Sequence, residues 1–224
     1  MPANVLVEKP ERLALTDLFD ELGPDAPTLC EGWTTEDLAV HLIVCESRPH
    51  AWLAIPMGDK SDRLRRYYEN LVAKERSRGW TALVDRVRKG PAWGPTSKEW
   101  VRERMLFREF LIHHEDVRRA NGREPRTDIP HLQEAAWQKV PSFAKRMIEV
   151  NKPYGLQLVH PDGRVHTVRE GDRYVRIGGE PIEQFLYVFG RTSAARIELL
   201  ENGEQLRVRD TSTLQALPRV RPSS

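Results

Sequence analysis

MLFREFLIHHEDVRRANG, residues 105–122, places Met105, Leu106, Glu109, Ile112, His113, Asp116 and Val117 at offsets 0, 1, 4, 7, 8, 11 and 12. Those offsets fall on a single face of an α-helix. Apolar side chains dominate that face, so it has to be covered, and Glu109 and His113 are expected to be covered with it. Asn121-Gly122 supplies a favoured C-terminal stop, and the helix is expected over 97–120.

Upstream, Leu38, His41, Leu42 and Cys45 follow offsets 0, 3, 4 and 7, again helical spacing, so His41 also faces a core. Thr34-x-x-Asp37 has the form of a capping box in front of this run. That helix is expected to begin there and to end near Pro56. Residues 11–22 repeat apolar side chains at Leu15, Leu18, Phe19 and Leu22 before Gly23-Pro24 stops them. The stretch 61–89 reads as helical with an interruption at Gly79, and Gly90-Pro91 closes it. Four amphipathic segments with short connections predict an antiparallel bundle, because each stripe needs another helix to cover it. A further helix, about 131–150, is expected to pack outside it.

After Pro153 the pattern changes. LQLVH, RVHTVRE and RYVRI, separated by Pro-Asp-Gly and Gly-Asp, alternate apolar and polar residues between turns and predict a small meander. Residues 181–192 read as a helix, ARIELLE and EQLRVRD as further strand or mixed elements, and PRVRPSS as a loose tail. The fold class is therefore α+β, with a helical domain at 1–150, a small α/β domain at 151–217 and a tail at 218–224.

Charged residues make up 30% and hydrophobic residues 39% of the 224, a soluble globular composition. A net charge of +2, from 35 basic and 33 acidic side chains, gives little long-range field to attract a polyanion and argues against nucleic acid as a partner. No apolar run approaches the roughly 18 residues that cross a bilayer, and MPANVLVEKPERL lacks a signal-peptide core. The expectation is a cytoplasmic protein without a membrane partner. Cys30 and Cys45 show no zinc-ribbon spacing and read as small, half-buried structural thiols.

Burying an unpaired carboxylate costs several kcal/mol, roughly, unless it is protonated, paired or bound to a cation. A glutamate and a histidine four residues apart lie one above the other on a helix, and a histidine from a facing helix completes a three-donor set. Spacing alone leaves two readings open. Either His41, Glu109 and His113 hold a metal, or Glu109 pairs with an arginine and the histidines are hydrogen-bonded core residues. Such donors suit zinc, nickel or iron(II). Asp116 either orients the His113 imidazole from behind or pairs with Arg119. His114, turned about 100° from His113, is expected on the flank, and His50, His131, His160 and His166 show no ligand spacing. Trp33 reads as a cap on the bundle beside the second helix.

At these residues the chain resembles a known family. Trp33-Thr34-Thr35-Glu36-Asp37-Leu38-Ala39-Val40-His41-Leu42, with Glu109-Phe110-Leu111-Ile112-His113-His114-Glu115-Asp116-Val117-Arg118-Arg119 downstream, is similar to the mycothiol-dependent maleylpyruvate isomerase family, within the wider DinB-like group of metal-binding bundles. HHEDVRRA together with Gly90-Pro91 resembles an actinobacterial metal-binding branch of it. PYGLQLVHPDG and Phe189-Gly190-Arg191 are similar to the family's small α/β C-terminal domain, itself like sterol-carrier folds. The resemblance spans about 13–208.

It implies an N-terminal DinB-like four-helix bundle with a small sterol-carrier-like C-terminal domain. It also implies that His41, Glu109 and His113 are ligands of a divalent metal, zinc first, with mycothiol as co-substrate and a small electrophile as substrate. A free thiol has a pKa of about 8.5, and coordination to a divalent metal removes its proton at neutral pH. Arg191 is one candidate for recognising the thiol or an acidic substrate and Arg118 another; the competing role for Arg191 is a charge at a helix C-terminus. Three functions follow: a thiol-dependent isomerase or transferase; a non-catalytic metal-binding or sensing protein whose C-terminal domain is an interaction or apolar-ligand module; and plain metal-dependent hydrolysis.

Overall fold

The first helix begins a turn earlier than its apolar spacing suggests, and the reason lies almost a hundred residues away. In the computed structural model, which describes residues 7–47, 62–201, 204–205 and 218–220, α1 spans Glu8–Leu22. One oxygen of the Glu103 carboxylate accepts from the backbone N–H of Val7 at 2.9 Å and of Glu8 at 2.8 Å. That carboxylate satisfies amide donors a helix start leaves open, so the first turn forms without a local cap.

Among the described residues of this unit, four more α-helices follow: α2 Thr35–Ser47, α3 Asp62–Arg76, α4 Trp80–Lys89 and α5 Glu99–Ala120. The capping box at the start of α2 is made: the Asp37 carboxylate accepts from Thr34 N at 2.9 Å and Thr34 Oγ1 at 3.0 Å. Gly79 separates α3 from α4 at φ 80°, a left-handed conformation that glycine adopts without a Cβ penalty. The expected continuation of α2 toward Pro56, and His50 with it, lie outside the described residues.

Leu15 and Phe19 of α1, Leu38 and Leu42 of α2, Leu83 and Val87 of α4, and Leu106, Phe110 and Val117 of α5 share one core. The expected faces of α2 and α5 are covered, but so are the remaining sides. Leu38 through Glu46 are all buried, as are Glu109 through Val117. Over those stretches both helices are covered on all sides, not on one face alone. Met105 is the exception on the expected α5 face, at 47% exposure, because the buried stretch begins only with Leu106 beyond Glu103. Arg12 ties α1 to its neighbours: it pairs with Glu8 and with Glu46 of α2, and its Nη1 donates to Val87 O of α4 at 2.6 Å.

Residues up to Arg126 form one compact unit and those from Thr127 a second. The division expected at 150/151 therefore lies earlier in the chain. Helix α6, Pro130–Met147, was expected on the outside of the bundle, but it belongs to the second unit. There Trp137 packs on His166 at 4.4 Å between ring centroids, and Phe143 on Phe185 at 5.4 Å.

The second unit also contains β1 Ile148–Glu149, β2 Tyr154–Val159, β3 Val165–Arg169, β4 Arg173–Gly178, α7 Pro181–Val188, β5 Glu198–Glu201, β6 Glu204–Gln205 and β7 Arg219–Val220. The expected meander is corrected here. The sheet order is β3-β2-β4-β5-β6, with β2 and β4 paired in parallel and the other pairs antiparallel. The chain leaves β3 and crosses the start of β2 to reach its far side. Gly155 and Gly171 permit the crossing: a Cβ on Gly171 would lie 2.1 Å from Gly155 N. Leu156, Leu158, Val175 and Ile177 supply the buried face, while Gln157 and Arg176 bond across the other at 2.9 Å. Nor is all of the expected loose tail free, since Arg219–Val220 pairs antiparallel with Ile148–Glu149. No described helix is long and apolar enough to cross a membrane.

Candidate metal centre

Helices α2 and α5 bring together the three side chains singled out by spacing. Glu109 Oε2 lies 3.5 Å from His41 Nε2 and 3.5 Å from His113 Nε2. The two imidazoles meet edge to face at 5.2 Å between centroids. All three residues are buried.

The other carboxylate oxygen has a different partner. Arg108 Nε donates to Glu109 Oε1 at 2.8 Å, and its Nη2 reaches the same atom. The pairing of Glu109 with an arginine, posed as the alternative to a metal, is therefore present on one oxygen while the second faces both histidines. A separation of 3.5 Å exceeds the usual 2.7–3.2 Å of an N–H···O bond. It matches the edge of about 3.3–3.4 Å between two donors bound tetrahedrally at about 2.0–2.1 Å. The donor types fit a divalent cation in chemistry, and the two distances from Glu109 fit it in spacing.

Asp116 stands behind His113, its Oδ2 2.9 Å from Nδ1. Arg119, its other expected partner, instead donates to Glu115 at 2.9 Å. The loop before α2 reaches the same place: Leu29 N donates to Asp116 O at 3.2 Å, and Asn121 Nδ2 to Pro27 O at 3.0 Å. This brings Cys30 Sγ to 3.4 Å from Asp116 Oδ2 and 4.0 Å from His113 Nδ1. On the other side Cys45 Sγ lies 3.5 Å from His41 Nε2. Trp33 packs edge-on against His41 at 5.1 Å, so it walls the site as well as covering the helix start.

Two sets of donors result, and they share no residue. Donor atoms of His41, Cys45 and Glu109 lie within 4.8 Å of one another, and so do those of Cys30, His113 and Asp116. Cys30, Cys45 and Arg108 are the neighbours that sequence reasoning passed over. The i+4 spacing of Cys45 from His41 was the available signal; nothing local announces Cys30 or the choice of Arg108.

Electrostatics divides the two histidines. Burial lowers the His41 pKa, reinforced by His113 and only partly offset by Glu109, which favours the neutral imidazole that ligates metals. Burial also works against His113, but the neighbouring Asp116, Cys30 and Glu109 side chains outweigh it and hold that pKa well above the ordinary value. For Glu109, burial is overcome by both histidines and by Arg108, so the carboxyl lies well below the usual range and is ionised. Burial and the Glu109 charge push the Cys45 thiol up.

The remaining expected residues are elsewhere. His114 is buried rather than on the flank, with Nδ1 3.0 Å from Glu11 Oε2. Arg118 Nη2 donates to Glu124 O at 3.0 Å. Arg191 belongs to the second unit, where its Nη1 donates to Phe189 O at 2.8 Å just past α7, the helix-terminus role. A separate cavity of about 780 Å³, lined by Ile43, Glu46, Leu71, Arg86 and Trp93 among others, is not lined by His41, Glu109 or His113.

The fold and the site together define an α+β protein whose helical unit encloses a mixed nitrogen, oxygen and sulfur donor cluster. No known protein-family profile matches the chain, and no curated protein does. Among solved structures, a crystal structure of the mycothiol-dependent maleylpyruvate isomerase aligns with a TM-score of 0.48 at 18% identity, covering 88% of this chain and 90% of that one. A mutant of that isomerase aligns with a TM-score of 0.47 at the same identity and coverage.

Proposed function

We propose that the helical unit is a DinB-like bundle that binds a divalent metal, zinc first and nickel or iron(II) otherwise, through His41, Glu109 and His113. We read the chain as a mycothiol-dependent isomerase or thiol transferase acting on a small electrophile, with a sterol-carrier-like second unit. The observation that carries the metal reading is the position of one carboxylate oxygen 3.5 Å from the Nε2 atoms of both histidines.

The residues divide the work. Arg108 holds Oε1 of Glu109 and leaves Oε2 for the cation. Asp116 fixes the His113 ring so that Nε2 is the free donor. Trp33 shields His41. A divalent cation in this site supplies a low-pKa thiol or water. The thiol dependence rests on the sequence resemblance.

Metal analysis of the purified full-length protein beside His41→Ala tests the site. Stoichiometric metal in the wild type and its loss in the variant are expected; equal content in the two overturns the assignment. For the activity, the zinc form is mixed with mycothiol and a panel of electrophiles. Consumption above the protein-free rate supports the enzyme, turnover without thiol points to hydrolysis, and silence at full metal occupancy favours the non-catalytic binding or sensing protein.

A further inference from the structure

We propose that Cys45 is a fourth protein ligand of the same cation, giving a resting set of two histidines, one glutamate and one thiolate. The inference rests on the metal reading above and goes beyond it, since neither spacing nor resemblance assigned this thiol a role other than packing.

Cys45 follows His41 by one turn of α2, so the two side chains share a face. Cys45 is buried beside the His41 imidazole, with Sγ 3.5 Å from Nε2 and 3.8 Å from Nδ1. It also belongs to the donor set whose atoms lie within 4.8 Å of one another, with Glu109 as the third member. For a tetrahedral cation with a sulfur bond of about 2.3 Å and a nitrogen bond of about 2.0–2.1 Å, the S···N edge is about 3.5–3.6 Å. The Nε2 distance equals that length, but 3.8 Å to Nδ1 puts the sulfur beside the ring and not ahead of Nε2, so ligation requires rotation about the Cys45 Cα–Cβ bond to bring Sγ round to the Nε2 side.

Cys30 provides the contrast. It approaches His113 from the Nδ1 side, 4.0 Å away, at the nitrogen that Asp116 already holds and that faces away from Glu109's contact with Nε2. Its place is behind the ligand.

Coordination replaces the S–H bond of Cys45 with a sulfur–metal bond, and the proton goes to solvent. Two consequences follow from a filled fourth position. A soft sulfur donor favours zinc over magnesium or calcium at this site. An incoming thiol or water has to arrive as a fifth ligand or displace Cys45, so the thiolate governs access to the cation.

The test loads the full-length protein, reduced with a phosphine rather than a thiol, with cobalt(II) and records its near-ultraviolet absorption. A sulfur-to-cobalt charge-transfer band is expected in the wild type and in Cys30→Ser, and its loss is expected in Cys45→Ser with cobalt still bound. The Cys30→Ser protein decides the matter even if the Cys45 variant does not fold, because Cys45 is then its only thiol. Bound cobalt without the band in Cys30→Ser, or a band that survives in Cys45→Ser, overturns the proposal while leaving the His41, Glu109 and His113 site intact. Failure of the wild type to bind cobalt at all sinks the metal reading itself, and this one with it.

Discussion

Asp116 Oδ2 lies 2.9 Å from Nδ1 of His113, and the two residues sit one helical turn apart on α5. The contact sets the tautomer: with Nδ1 engaged by the carboxylate, Nε2 is the nitrogen left to face Glu109. Removing such a partner usually lowers metal affinity about 10–100-fold without removing a ligand. Asp116→Asn is therefore expected to bind zinc within that range of weakening, read by competition with a chromogenic chelator. Affinity equal to the wild type would show that the carboxylate does not orient the ring.

The same histidine gives metal binding and metal-free stability opposite pH trends. Its pKa in the folded, metal-free protein is raised well above the ordinary value, so folding is favoured by its protonation. That contribution is fully present below the unfolded pKa of about 6.5 and is lost as pH rises through the folded pKa. A metal must displace this proton, so affinity rises over the same window. Zinc titrations and metal-free melts across neutral pH should move in opposite directions; a pH-independent affinity there would contradict the linkage.

The residues that made this site legible were those repeating at helical intervals. His41 beside Leu38, Leu42 and Cys45, and Glu109 beside Ile112 and His113, announce their shared faces in one dimension. What spacing cannot show is a partner brought in from another element. Glu103 capping α1, the loop delivering Cys30 to Asp116, and Glu11 receiving His114 are all contacts across many tens of residues. The strand order of the second unit is hidden from the sequence for a related reason. Alternating residues identify β2, β3 and β4 as strands but contain nothing about their order, which depends on two glycines that let the chain pass over itself.

Glu11 is a buried charge outside the candidate metal centre. Its carboxylate receives Arg126 Nη1 at 2.7 Å and Nη2 at 2.8 Å and meets His114 Nδ1 at 3.0 Å. Burial works to raise its pKa, but His114 and Arg126 outweigh burial and lower it. The stabilisation is thus present above the unfolded carboxyl value, about 4.3, and is lost as pH falls through the lower folded value. Removing one partner of such a pair costs about 3–5 kcal/mol. Glu11→Ala should show a loss of that size in denaturant unfolding at neutral pH, with a smaller difference from the wild type in acid. A neutral effect at pH 7 would mean that Arg126 finds another partner, Glu115 being the one already in contact at 2.7 Å.

Gly171 tests the strand crossing by itself. Its Cα approaches the start of β2 so closely that an added Cβ would lie 2.1 Å from Gly155 N and 2.6 Å from the Tyr154 carbonyl carbon. Both contacts are to backbone, which cannot rotate aside as a flexible side chain can. Gly171→Ala must therefore push apart the crossing and the parallel β2–β4 pair whose register begins at Tyr154 opposite Arg173. Forcing extra carbon into a filled space typically costs about 1–3 kcal/mol, occasionally more, and a backbone clash belongs at the upper end. Hydrogen exchange should show the loss concentrated in β2 and β4, where amides at Gly155 and Tyr174 would exchange faster than in the wild type. Unchanged protection there would mean that the strands do not cross as described, and the order β3-β2-β4 would have to give way to the simple up-and-down arrangement that alternation alone suggests.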